Sequence, residues 1–229
     1  MMDNQCASRK PSPPKPVCAR GMSGFSLVEL LIVVCVSMTL AGIIFISYQT
    51  ATKSIRTSNA FNAVLQQIRT ARQNAIEKRE QYIVCFGSGS APTGAATTPY
   101  GAPNAQSVQI YQWPAGASLS TAVQISSVDL PSDIQFQTLS GFPTTTPDGF
   151  GTTAINFDQG ITGGITNQIM FMPDGSARDT NGNLNSGIIY LARSGDLTSG
   201  RAITLFGGSG ASRGWRLTGT GATAKWVVQ

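Results

Sequence analysis

Hydrophobic and polar residues follow three different patterns along this chain. Residues 25–48 are almost entirely apolar, and Glu29 is the one charged side chain there. Residues 49–80 place apolar side chains at i, i+3, i+4 and i+7, the spacing of one face of a helix. After Glu80 the apolar residues come in short runs between clusters of Gly, Ser, Thr and Pro, which is typical of strands and turns.

The first two patterns predict one continuous helix. No proline occurs between Pro16 and Pro92, and Gly42 is the only interior glycine between Phe25 and about Glu80. A helix of about 56 residues, roughly 84 Å long, is therefore expected. Its apolar stripe is predicted to pack on a sheet, because the pattern lasts too few turns for a coiled coil. The stripe consists of Phe61, Val64, Leu65, Ile68, Ala71, Ala75 and Ile76.

The third pattern predicts a β-rich domain over residues 81–229. Two low-complexity stretches, 87–106 and 141–152, are expected to form surface loops or insertions. The fold class is therefore α+β, a long N-terminal helix packed on an antiparallel sheet. The candidate strands are Tyr82–Phe86, Val108–Trp113, Ala154–Phe157, Ile169–Met172, Ile188–Ala192, Ala202–Phe206 and Trp215–Leu217.

Composition argues against an enzyme. The 229 residues contain no histidine, which excludes Ser-His-Asp catalysis, Cys-His catalysis and histidine metal ligation. No paired-carboxylate pattern, nucleophile motif or phosphate loop is evident, so we expect neither catalytic residues nor a cofactor.

One stretch rich in oxygen-bearing side chains, DTNGNLNS at 179–186, raises the question of calcium. It alternates oxygen-bearing side chains, but the sixth and twelfth positions of an EF-hand loop are occupied by Leu184 and Tyr190. An Asn-Gly hairpin turn explains the same residues, so we expect no metal there.

The N-terminal region combines a basic segment with the apolar run. Residues 1–24 carry four basic side chains against Asp3, and the 22 residues from Phe25 to Ile46 could span a bilayer. Basic residues before the run place the N-terminus in the cytoplasm. An ionised side chain inside such a segment is unfavourable, so Glu29 needs a partner.

Residues 24–34, GFSLVELLIVV, resemble the processing signature of type IV prepilins and type II secretion pseudopilins. The resemblance implies that a prepilin peptidase removes the leader 1–24 by cutting between Gly24 and Phe25, and then N-methylates Phe25. It also implies that Glu29 pairs with the Phe25 amine of a neighbouring subunit during assembly. A plain signal anchor or a Sec signal peptide is the alternative, although ISYQTAT is a poor cleavage site.

Two further motifs resemble the GspH/FimT branch of minor subunits. Residues Leu65, Ala71, Arg72, Ala75 and Ile76 form a version of its "L-x-x-A-R-x-x-A-I" helix, with one extra residue. The FMPDG at 171–175 resembles its "F-x-P-x-G" strand and turn. The resemblance implies a structural subunit, either of a type IV pilus or of a type II secretion pseudopilus. Its implied partners are other pilins or pseudopilins, an inner-membrane assembly platform and membrane lipid.

This family resemblance also implies a location. The helix at 25–48 would cross the inner membrane once, the N-terminus would be cytoplasmic, and the C-terminal domain would be periplasmic. Incorporation into a pilus or pseudopilus would follow.

The C-terminal quarter of the chain is basic. Residues 175–229 carry a net charge of +4, with two tryptophans among the basic side chains. Such a mixture could hold a phosphate backbone and stack bases, and some FimT-like minor pilins are associated with DNA uptake. DNA binding is therefore the alternative function, and an ordinary solvated surface is the plainer interpretation. The residues concerned are Arg213, Trp215, Arg216 and Lys225.

Overall fold

A computed structural model describes residues 26–87, 104–114, 116–157 and 167–229, with the backbone alone for 43–51. The chain divides into two compact units after Tyr48. The predicted cleavage site, Gly24 and Phe25, and most of the 87–106 stretch lie outside the described residues.

One helix, α1, runs from Leu27 to Lys78, close to the predicted bounds. It ends where Arg79 takes a left-handed conformation, with φ of 56°, which an α-helix cannot continue. The stripe predicted for its second half is buried at Phe61, Val64, Ile68, Ala71 and Ala75. Leu65 is half-buried and Ile76 is exposed at 43%, so the buried face is narrower than the spacing suggested.

The described residues after the helix form eleven strands and three short 3₁₀ helices. The 3₁₀ helices are Leu119–Thr121, Pro147–Gly149 and Gly221–Thr223. The strands are β1 Gln81–Phe86, β2 Ser107–Trp113, β3 Val123–Asp129, β4 Ile134–Phe136, β5 Ile155–Asn156, β6 Gln168–Phe171, β7 Ala177–Arg178, β8 Gly187–Arg193, β9 Asp196–Phe206, β10 Ala211–Thr218 and β11 Lys225–Val228.

These strands form two antiparallel sheets, a division that the sequence did not indicate. The first sheet has the order β3-β2-β1-β6-β7, and the second has the order β11-β10-β9-β8-β4, with β5 also paired to β8. The α+β class itself is confirmed. Each predicted strand overlaps an observed one, whereas β3, β4, β7 and β11 were not predicted.

The main core lies between α1 and the two sheets. Phe61, Val64 and Ile68 of the helix pack in one cluster with apolar side chains of β1, β2, β6, β8 and β9. Alternation along β1 sends Tyr82, Val84 and Phe86 into this cluster, and Ile83 and Cys85 into a second cluster on the opposite face. Burial on both faces explains why β1 reads as an unbroken apolar run.

The two family-like motifs, 103 residues apart in sequence, meet in the fold. The Arg72 guanidinium donates a hydrogen bond from Nε to the Gly175 carbonyl oxygen at 3.2 Å. Ala71 and Ala75 are fully buried beside it, where small side chains allow the helix to approach the sheets. The helix motif and the FMPDG turn are thus two halves of one packing contact.

The 141–152 stretch packs against the outer face of the second sheet. Phe142 makes ring contacts with Tyr190 and Trp226 at centroid distances of 5.8 and 5.1 Å, and Phe150 contacts Phe206 at 5.6 Å. The sheet is therefore covered on one face by α1 and on the other by this segment.

The DTNGNLNS stretch forms a tight turn around Asp179. The carboxylate of Asp179 accepts hydrogen bonds from the backbone N–H groups of Asn181 and Asn183, at 3.0 and 2.7 Å. Both amide side chains also donate to it. An aspartate-centred turn thus accounts for the oxygen-rich residues.

Candidate functional site

The first candidate site is the N-terminal part of α1, from Ser26 to Gly42. The Leu30 N–H donates to the Ser26 carbonyl oxygen at 3.1 Å, which closes the first turn and places Glu29 within it. A carboxylate at this position interacts favourably with the positive end of the helix dipole. Among the described residues, no cation lies within ion-pair distance of Glu29.

This segment exposes apolar side chains all around the helix. The large ones range from Val34, 41% exposed, to Leu27, 81% exposed. The hydroxyls of Ser37 and Thr39 donate back to the carbonyl oxygens of Val33 and Val36, at 2.7 and 2.8 Å. These two hydroxyl groups therefore need no water molecule as a hydrogen-bond acceptor, and the surface of the segment suits an apolar environment. The exposed side chains are Leu27, Val28, Leu30, Leu31, Ile32, Val33, Val34, Val36, Met38 and Leu40.

Within the described residues no helix is long and apolar enough to cross a membrane. Phe25 and the side chains of residues 43–48, which belong to the span predicted for 25–48, lie outside the described residues.

The second candidate site is the basic and aromatic part of β10 and β11. Alternation along β10 puts Arg213 and Trp215 on the outer face, where Trp215 packs with Tyr190 and Ala202. Gly214 meets Phe61 of α1, so it lies on the helix-facing side, together with Arg216. The structure therefore brings Arg213 and Trp215 together and sends Arg216 to the opposite face.

Arg213 is held by residues that the sequence did not suggest. Its Nη1 lies 2.7 Å from Asp148 Oδ1, and its guanidinium lies over the rings of Phe206 and Trp215 at 5.4 and 5.8 Å. Thr204 donates through its hydroxyl to Asp148 Oδ2 at 2.6 Å, and accepts the Trp215 indole N–H at 3.0 Å. Much of the positive charge of Arg213 is thus neutralised within the chain.

Lys225 lies at the rim of a neighbouring cavity. This cavity of about 410 Å³ lies between the 143–148 segment and the side chains of Trp215, Lys225 and Trp226. Lys225 is exposed, whereas Trp226 is half-buried against Phe142 and Tyr190. The indole of Trp226 therefore serves mainly to pack the 141–152 stretch onto the second sheet.

A third group of basic side chains lies at the end of the second sheet, close to Lys53 of α1. The sequence did not predict it as a site. Arg193 pairs with Asp133 at 2.8 Å and with Asp196 at 3.3 Å, and also donates to the Lys53 carbonyl oxygen at 2.9 Å. It thereby ties α1 to β8 and β9. The sequence indicated this group only through its net charge, which is negative over residues 81–174 and positive over the residues after them.

No protein-family model matches this chain, and no curated protein matches it. Among solved structures, the crystal structure of the type IV minor pilin FimU of Pseudomonas aeruginosa (strain PAO1) is similar over 70% of this chain and 89% of its own. The identity is 12% and the TM-score is 0.42. A likeness this distant does not indicate what the present chain binds or assembles with.

Proposed function

We propose that this chain is a minor, non-enzymatic subunit of a type IV pilus or a type II secretion pseudopilus. A prepilin peptidase would cut it between Gly24 and Phe25 and methylate the new amine. The processed subunit would then join other subunits to initiate or cap a filament. The GFSLVELLIVV signature and the helix that begins at Leu27 support this proposal.

The observation that carries the proposal is the apolar surface of residues 27–40 with a single carboxylate in its first turn. Each large side chain there would contribute about 1.5–3 kcal/mol if it were removed from water. Helices of neighbouring subunits, packed side by side, would cover this surface on all sides. A filament core of such helices is the environment that we propose.

In that core, Glu29 needs a positive charge. A carboxylate without a partner is costly to bury, whereas a paired one is tolerated. Cleavage after Gly24 creates an amine on Phe25, one helical turn before Glu29. We propose that the Glu29 carboxylate forms an ion pair with the Phe25 amine of the adjacent subunit. This pair would fix the axial register between the two subunits.

Filament incorporation of a Glu29→Ala variant tests the proposal. We expect the variant to be produced at the wild-type level and to be strongly depleted from sheared filaments, while Glu29→Asp retains part of the incorporation. Glu77→Ala, which removes an exposed carboxylate further along the same helix, is the matched control. Equal amounts of Glu29→Ala and wild-type subunits in the sheared fraction would contradict the assembly role.

DNA binding through Arg213, Trp215, Arg216 and Lys225 stays a prediction that no contact among the described residues favours. Arg213 is paired with Asp148, and Arg216 lies on the other face of β10. The four side chains therefore do not form one continuous surface for a phosphate backbone.

A further inference from the structure

A small basic cavity lies inside the second unit, between α1 and strands β8 to β10. Its volume is about 170 Å³, enough for one oxyanion group and below the size of common small-molecule sites. Lys53, Arg193, Arg201 and Arg216 contribute basic side chains to its wall, and Asp196 contributes the one acid among the residues that line it. The wall is therefore strongly positive.

Arg201 is the unusual member of this group, because it is only 3% exposed. Its Nη1 donates to the carbonyl oxygens of Gly200 and Thr198, at 2.9 and 3.3 Å. Its Nε, by contrast, has no hydrogen-bond partner among the described residues. A buried charged donor left without an acceptor is unfavourable unless something supplies one.

A second arginine, Arg216, adds positive charge beside Arg201. Arg201 on β9 lies directly opposite Arg216 on β10 in the antiparallel register. Like charges at directly opposed positions of a sheet repel each other. Burial lowers the pKa of the Arg201 guanidinium below its ordinary value, and the positive charge of Arg216 lowers it further.

The acid in the wall is already engaged elsewhere. Asp196 Oδ2 lies 3.3 Å from Arg193 Nη1, and Oδ1 accepts hydrogen bonds from the N–H and hydroxyl of Thr198, at 3.1 and 2.7 Å. Asp196 offsets part of the charge on Arg201 at longer range. Within the described ranges, however, neither Arg201 nor Arg216 forms an ion pair with a carboxylate.

We propose that this cavity binds an oxyanion, a phosphate or a carboxylate, between Arg201 Nε and the Arg216 guanidinium. Such a group would accept the unpaired N–H of Arg201 and neutralise the opposed pair of arginines. The occupant is either free phosphate or a carboxylate carried by a protein partner. This inference rests on the second unit alone and does not depend on the proposed function.

Thermal unfolding of the full chain in detergent tests the inference. Inorganic phosphate and acetyl-glutamate are each compared with chloride at equal ionic strength, and the melting temperature is followed by circular dichroism. We expect at least one of the two probes to raise Tm by about 5 °C at a hundredfold excess over Kd. A response to phosphate alone identifies free phosphate as the occupant, and a response to acetyl-glutamate alone identifies a carboxylate.

Two variants assign the effect to the cavity. Arg216→Gln changes an exposed side chain and is expected to abolish the anion-dependent rise, while Arg213→Gln, on the opposite face of the same strand, is expected to retain it. Arg201→Gln should behave like Arg216→Gln if it folds. The absence of any rise with either probe, or an equal rise in Arg216→Gln, would overturn the proposal.

Discussion

Arg72 on α1 and Gly175 in the turn after β6 are joined by a hydrogen bond of 3.2 Å, from the guanidinium Nε to the backbone carbonyl oxygen. Gly210 closes the same contact from the turn between β9 and β10. A Cβ atom built at Gly210 would lie 2.1 Å from the Gly175 carbonyl oxygen and 2.9 Å from Arg72 Nε. The helix and both sheets therefore meet at Gly210, and the close contact leaves no room for a side chain on residue 210.

The first prediction concerns this point. Gly210→Ala should destabilise the second unit by about 1–3 kcal/mol beyond the backbone cost of its positive φ, because two backbone segments must separate. Gly182→Ala is the control, since Gly182 also has a positive φ but has no neighbouring atom within 4 Å. Urea unfolding followed by circular dichroism measures both. Equal losses in the two variants would show that the close contact contributes nothing.

The second prediction concerns the acid that holds Arg213. Asn tolerates the left-handed conformation of residue 148, so Asp148→Asn removes the charge without straining the backbone. It should destabilise the second unit by about 1–3 kcal/mol, because Asp148 is only partly exposed and is bonded to both Arg213 and Thr204. Unfolding followed by tryptophan fluorescence reports on it, since Trp215 donates to Thr204.

The control for this variant is Asp129→Asn, which changes an exposed acid at the end of β3 that accepts from the Asn104 amide. Its free energy of unfolding should stay within about 0.5 kcal/mol of wild type. A similarly small effect for Asp148→Asn would mean that the 141–152 segment is held by its aromatic contacts alone.

The third prediction concerns stability at high pH. Burial raises the pKa of the Tyr111 phenol to about 12, and the nearby Cys85 adds to this. In the unfolded chain a tyrosine loses its proton near pH 10, so between pH 10 and 12 the unfolded state binds fewer protons than the folded one. The contribution of Tyr111 is therefore fully present below pH 10 and should fall by about 2–3 kcal/mol as the pH rises to 12.

Urea unfolding at a series of pH values measures this loss. Tyr111→Phe should show a shallower decline than wild type between pH 10 and 12, although burial raises the pKa of Tyr190 as well and leaves a residual slope. At pH 7 the variant loses the hydrogen bond from the Tyr111 hydroxyl to Gln109 Oε1, 2.7 Å long. Parallel declines in the two proteins would contradict the assignment.

The central strands were predictable from the sequence, whereas β5, paired to β8 alone, was the one edge strand among the described residues that was predicted. The four strands that the sequence did not indicate, β3, β4, β7 and β11, are the outermost strands in the order of the two sheets. An edge strand is paired on one side only and needs fewer apolar residues, as VQISSVD in β3 shows. The central strand β1, buried on both faces, was evident from its apolar run.

The helix was predictable because its signal is local. The absence of proline and the spacing of apolar residues indicated its bounds to within two residues at each end. The Arg213–Asp148 pair and the opposed Arg201 and Arg216 were not predictable, because they depend on strand register and on the packing of a loop 65 residues away. The positions of the basic residues in the sequence did not indicate which face of a strand each one would occupy.

Processing at the N-terminus tests the central claim most directly. Intact-mass and peptide mass spectrometry of the native protein, purified from cells with an active prepilin peptidase, gives its first residue and any modification. The account predicts a chain that begins at Phe25 with a methylated amine. A chain that still carries residues 1–24 in those cells would contradict it.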